Sequence, residues 1–189
     1  MYDLHGIIFA YSASPELGEL VRRRTAASLP FCGRYRLIDF ALSSMMNAGI
    51  RDVGVIMQRD YQSLLDHIGS GKNWDMSRRY GGLRMLPPFG LPEYHRGNYT
   101  GTIEALNAVA TYVRNIPQKH IALLLGSVCA NIDLTAAMHQ HTKTGAEITA
   151  ICSAGELTGS NHRYVIDDDG MVKQLLFDRT DPGEGIPSL

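Results

Sequence analysis

The chain has 189 residues, a formal net charge of −1, 44% hydrophobic residues and 20% charged residues. That is the make-up of a globular domain with one substantial core, and it gives no electrostatic case for nucleic acid or an anionic membrane. Three well-separated cysteines (Cys32, Cys129, Cys152) form no C-x-x-C pair, which argues against a disulfide framework or a zinc site and for a reducing, cytoplasmic setting. The N-terminus does not read as a secretory leader, and no stretch approaches the ~20 apolar residues of a membrane span, so no membrane attachment is expected.

The first apolar run, Gly6 to Ala10, is short and continuous, as in a strand buried on both faces. A loop with Ser12, Ser14, Pro15 and Gly18 follows, then the basic run Arg22-Arg23-Arg24. From Arg36, apolar residues at Leu37, Ile38, Ala41, Leu42, Met45 and Met46 mark one helix face, with Gly49 placed to end it. Val53 to Met57 reads as the second buried strand, and Ser63 to Ile68 as a short helix closed by Gly69. Residues 69–100 are rich in glycine, proline and aromatics without a period, the mark of a functional loop or of an element hidden from pattern reading.

Helical spacing resumes at Ile103, Leu106, Val109, Ala110 and Val113 and stops before Pro117. Ile121 to Leu125 reads as a third strand, Thr135 to Thr144 as a helix, and Glu147 to Ile151 as a fourth strand. Tyr164–Ile166 and Val172–Leu176 flank Asp168-Asp169-Gly170, a hairpin signal. Asp167 to Gly170 lacks the alternating ligands of a calcium loop, and His139 and His141, two apart on a helix, do not make a metal pair. Strands alternating with helices predict an α/β fold, a doubly wound and mostly parallel sheet flanked by helices, with ligands beyond the carboxyl ends of the strands.

One segment carries more than a fold class. Phe31-Cys32-Gly33-Arg34-Tyr35-Arg36-Leu37-Ile38-Asp39-Phe40-Ala41-Leu42-Ser43-Ser44, continuing to Asn47-Ala48-Gly49-Ile50, resembles the F-G-G-[KR]-[YF]-R-[LI]-I-D-F-x-L-S-N … N-[SA]-G-I pattern of the glucose-1-phosphate adenylyltransferases. Gln58, Ser63 to Ile68, Tyr99 to Thr102 and Leu125-Gly126 extend the match. Ser70 to Asp75, Gly81 to Leu83, Leu86 to Phe89 and Asn131 to Leu134 are most similar to the regulatory-type subunit of the two-subunit enzymes of some Gram-positive bacteria. The resemblance implies a Rossmann-like nucleotidyltransferase domain of the sugar-nucleotide pyrophosphorylase type over residues 1–189, expected to be incomplete. The family's C-terminal left-handed β-helix is not represented.

An adenylyl-transfer enzyme works chiefly by positioning and electrostatics, so a few loop residues and a metal ion carry most of the rate. The family loop G-G-x-G-[TS]-R-L falls on Tyr11 to Leu17, and its glycines are missing: Ser12 stands in the loop, Pro15 removes a donor, and Glu16 takes the place of the arginine. The R-A-K-P lysine falls on Ala26, and the metal-holding aspartate of G-D-[HQ] on Ser127. The E-K-P sugar-phosphate motif falls near Asp178 and Arg179.

The resemblance therefore implies a non-catalytic chain that requires no cofactor itself, while Mg²⁺ serves a catalytic partner subunit in a hetero-oligomer, a tetramer by family pattern. Gln58, Gly101 and Thr102 are vestigial nucleotide-binding candidates. Arg22, Arg23, Arg24, Asp178 and Arg179 are candidates for a sugar phosphate or an effector. ATP, glucose 1-phosphate and ADP-glucose are the ligands to consider. Two rival readings stay open: an active nucleotidyltransferase with a rearranged site, and a nucleotide or sugar-phosphate sensor without turnover.

Overall fold

The computed structural model describes residues 3–11, 15–58, 60–78, 81–87, 99, 101–153, 163–176 and 186–187. The chain divides into two compact units, Met1–Thr135 and Ala136–Leu189.

The first unit is built on a parallel sheet of four strands: β1 (Leu4–Phe9), β4 (Val53–Ile56), β5 (Leu83–Leu86) and β6 (His120–Leu125), in the order β5-β4-β1-β6. The central pair explains the continuous apolar runs. Ile7, Ile8, Val53, Val55 and Ile56 are all fully buried. Alternate β1 side chains serve opposite faces. On one face α1 (Ile38–Asn47) buries Ile38, Ala41, Leu42 and Met45. A Cβ on Gly6 would strike the Met45 sulfur, so the strand takes a glycine there to let the helix approach. On the other face Ile7 and Phe9 join Ile56, Tyr99 and Ala105, covered by Leu106, Val109 and Val113.

The helix predicted from Ile103 to Val113 is two helices, α3 (Thr102–Ala108) and α4 (Ala110–Arg114), broken at Val109, whose φ of −106° and ψ of 22° are not helical. The Phe31–Phe40 segment is also more than a helix start. Pro30–Phe31 (β2) pairs antiparallel with Tyr35–Arg36 (β3) before α1 begins. The family pattern here builds a clamp. Asp39, 8% exposed, accepts from the Arg36 backbone N–H at 3.0 Å and lies 2.7 Å from His67 Nε2 on α2 (Gln62–Ile68). The Arg36 guanidinium reaches Ser63 O and Oγ, both at 2.6 Å, so residues from two helices and the hairpin are tied together.

The long stretch after Gly69 hides a 3₁₀ turn (Lys72–Trp74) and the edge strand β5. It is β5, not Glu147–Ile151, that gives the sheet its fourth strand: residues 147–151 have no strand conformation, and Ile148 is 88% exposed. Four residues with a central arginine leave no alternation to detect in β5. It is held instead by register with β4 and by Asp52 Oδ1, which accepts from the Gly82 N–H at 2.7 Å.

The second unit takes up the chain from Ala136, within α5 (Leu134–Thr144), which ends at Gly145, φ 64°. The expected hairpin forms as β7 (Arg163–Ile166) against β8 (Val172–Leu176), turning through Gly170 at φ 79°, with β9 (Ile186–Pro187) on the far side of β7. No described helix is long and apolar enough to cross a membrane.

Candidate functional site

The chain adds β4 and β5 on one side of β1 and β6 on the other, so the loops leaving the carboxyl ends of β1 and β6 diverge. In an open parallel sheet that divergence makes the crevice where ligands bind. The ladder continues one step past the strands and fixes the loop origins. Ala10 N–H donates to Ile56 O at 2.9 Å, Gly126 N–H to Phe9 O at 2.8 Å, and Met57 N–H to Leu86 O at 3.0 Å. The next residues, Tyr11, Ser127 and Gln58, are the candidate site.

Tyr11 occupies the start of the expected phosphate loop, and its ring turns inward. It packs on Phe9 at 5.9 Å and on Tyr99 at 5.0 Å, both edge to face, inside the apolar cluster under α3. Burial raises the Tyr11 pKa, partly offset by the neighbouring Thr102 side chain; the Tyr99 and Glu104 charges raise it further. Tyr99 is raised by burial and by Glu104. Both groups are therefore neutral phenols at physiological pH. Sequence reading placed a non-glycine residue at Tyr11 but missed this ring pair; its trace is the two tyrosines themselves, one after β1 and one ahead of α3.

On the opposite face of β1, the side of Ile8, the 3₁₀ turn Ala26–Ser28 is sealed: Ala26 and Ala27 are each 1% exposed and Ser28 is 0% exposed. A Cβ on Gly126 would lie 3.2 Å from the Ala27 methyl and 3.1 Å from Ile8, so the end of β6 packs directly onto this turn. The position expected to carry a lysine, Ala26, is buried in the turn that this contact covers. Ser127 follows in a turn, half-buried. A hydroxyl is a weak ligand for a hard divalent cation, and the described residues hold no group of three His, Cys, Asp or Glu suited to a metal. These residues do not fit Mg²⁺.

Gln58 is half-buried immediately beyond the fully buried Met57. Gly101 and Thr102 are exposed at the start of α3, where Gly101 O accepts from the Ala105 N–H. Gly101 is extended, with φ −171°, and an added Cβ would meet nothing within 4 Å, so the fold does not demand a glycine there. Arg22 and Arg23 are exposed and Arg24 is half-buried, after the 3₁₀ segment Pro15–Val21. Arg22 pairs with Glu19 at 3.2 Å, an exposed pair that contributes little to stability. Ser12, Asp178 and Arg179 lie outside the described residues, as do the side chains of Pro15 and Glu16. The structure thus gathers Tyr11, Ala26, Ala27, Gly126 and Ser127 around the ends of β1 and β6, with Thr102 reached through Tyr11.

A nucleotidyl transferase family model matches residues 6–175. The chain belongs to that family. Among curated nucleotidyl transferase relatives, it is 37% identical over 178 residues to the glycogen biosynthesis protein GlgD of Geobacillus stearothermophilus and 30% identical to GlgD of Bacillus subtilis, covering 94% of this chain and 50% of each relative. It is 33% identical over 147 residues to a glucose-1-phosphate adenylyltransferase of Halalkalibacterium halodurans, covering 78% of this chain and 38% of that protein. The chain therefore spans about half the length, or less, of these relatives. A solved structure from Bacillus anthracis, described as a glucose-1-phosphate thymidylyltransferase in complex with sucrose, superposes with a TM-score of 0.75 over 98% of this chain and 68% of that one. At 16% identity that likeness speaks for the nucleotidyl transferase fold.

Proposed function

We propose that this chain is the nucleotidyltransferase-like part of a non-catalytic, regulatory subunit of glucose-1-phosphate adenylyltransferase, acting in the cytoplasm in glycogen biosynthesis. The observation that carries the reading is the carboxyl end of β1. Where phosphate handling needs glycines and open backbone donors, Tyr11 packs edge to face on Tyr99, and the alanines of the 26–28 turn are buried. Loss of one transition-state contact commonly costs about 10²–10³ in rate, so loss of the loop, a lysine and a metal carboxylate together should leave no measurable turnover. Similarity to GlgD and to adenylyltransferases supports the pathway. The partner in this reading is a catalytic adenylyltransferase subunit in a hetero-oligomer, and the substrates whose conversion is tuned are ATP and glucose 1-phosphate.

The deciding experiment measures pyrophosphate release from ATP and glucose 1-phosphate with Mg²⁺, first by the full-length protein alone and then with the catalytic subunit. The expected result is no turnover alone and an altered rate or effector response in the mixture. Turnover by the isolated protein would overturn the proposal.

A further inference from the structure

At the amino ends of the strands, opposite the candidate site, lies a cavity of ≈ 230 Å³ whose walls include His5, Asp52, Arg84, Tyr112 and Gln118. Two opposite charges stand on these walls, and the fold holds each in place without pairing it. Asp52 lies just ahead of β4. Its Oδ1 accepts from the Gly82 N–H and its Oδ2 from Gln118 Nε2, both at 2.7 Å. Both donors are neutral, so the carboxylate keeps its charge, and each oxygen keeps a further lone pair.

Arg84, the exposed residue of β5, lies with Cζ 5.9 Å over the centre of the Tyr112 ring. The ring is itself tied down by its hydroxyl, 2.9 Å from His5 Nε2. Stacking on a ring face orients the guanidinium and leaves its fork of N–H donors unused. Among the described residues no cation pairs with Asp52 and no anion with Arg84. Both charges act on His5 and on Tyr112, so they belong to the one cavity.

Two polar atoms of the wall residues, Gln118 Oε1 and His5 Nδ1, are buried without a hydrogen-bond partner, and His5 is only 4% exposed. The Gln118 carbonyl belongs to the amide that binds Asp52. An acceptor without a donor thus stands next to a carboxylate without a cation. That combination is complementary to an ammonium group, which brings three donors and a positive charge. The Arg84 fork is complementary to a carboxylate. At roughly 30 Å³ for each water-sized group, the cavity holds about seven non-hydrogen atoms, the size of serine.

We propose that this cavity is a binding site for a small α-amino acid, held by its ammonium group at Asp52 and Gln118 and by its carboxylate at Arg84. Both ends are needed, because a ligand with one charge leaves the opposite wall without a partner. The site lies at the other end of the sheet from the expected phosphate loop, and it does not rest on the proposed regulatory role.

NMR spectra of the isotope-labelled full chain test the proposal, with L-serine as the probe. Saturable shifts of the Gly81, Gly82 and Gln118 signals are expected within about 10 mM, tenfold above a millimolar Kd. 3-Hydroxypropionate lacks the ammonium group and ethanolamine lacks the carboxylate. Each should bind at least about tenfold more weakly, since each forfeits one charged contact. Arg84→Gln, a change at an exposed side chain, should weaken L-serine by a similar factor while ethanolamine binds no worse. Asp52→Asn should weaken L-serine while 3-hydroxypropionate binds no worse. No saturable shift with L-serine, equal binding of either truncated probe, or unchanged affinity in Arg84→Gln overturns the site. Should Asp52→Asn not fold, the truncated probes and Arg84→Gln still decide it.

Discussion

Cys32 and Gly54 show how one residue can work against or for the backbone it sits in. Cys32 holds φ at 49°, a left-handed conformation that costs an L-residue roughly 1–2 kcal/mol. The glucose-1-phosphate adenylyltransferase pattern has glycine at this point. Cys32→Gly relieves the strain but gives the unfolded chain more freedom, so a net gain of about 0.5–1 kcal/mol is expected in urea denaturation. Gly54 is the opposite case. Its hydrogen makes room for the Tyr112 ring and for Leu86, whose Cδ1 would lie 3.0 Å from an added Cβ. Gly54→Ala is expected to cost about 1–3 kcal/mol by the same measurement, since ring and strand are both packed in place. That Ala26 and Ser127 carry no charge was readable in the sequence, because the absence of a charged side chain shows in one letter. The Tyr11–Tyr99 contact and the hydrogen bond between His5 and Tyr112 were not, because each joins residues far apart in order. Gly54, a glycine inside a buried strand, was the only local sign that something presses on β4.

Among the elements, legibility followed burial. β1 and β4 are covered on both faces and read as continuous apolar runs, while α1 has a clear helical face. The failures lie at the margins of the sheet. β5 is short and carries Arg84, and the fourth strand expected at Glu147–Ile151 had the right composition without a partner to pair with in the described structure. Pattern reading also ran α3 and α4 together, because the apolar spacing continues across Val109 although the backbone does not. β6 shows the other consequence of a margin. Its Ile121, Leu123 and Leu125 share a face with Ile7 and Phe9, yet they are 39%, 50% and 39% exposed. An apolar edge strand invites association between chains. Leu123→Lys should change the unfolding free energy by less than about 0.5 kcal/mol. It should also reduce concentration-dependent light scattering; scattering equal to that of the wild type would mean this edge is not the contact.

For the whole molecule, the four-stranded sheet sets an order of events as well as a shape. The strand at its centre, β1, is the first made, and both of its neighbours come later: β4 begins at Val53 and β6 at His120. Ile7, Ile8 and Phe9, all buried in the finished sheet, have no complete cover until β6 exists. That is roughly 115 residues of synthesis, or on the order of 6 to 20 s at ribosomal rates, with a buried apolar strand waiting for its last neighbour. Pairing over such separations is also slow for a complete chain, because the closure entropy is lost before any contact repays it. The central placement that protects β1 in the native protein thus leaves it open to interception during biogenesis, and makes it a natural early client for a ribosome-associated chaperone.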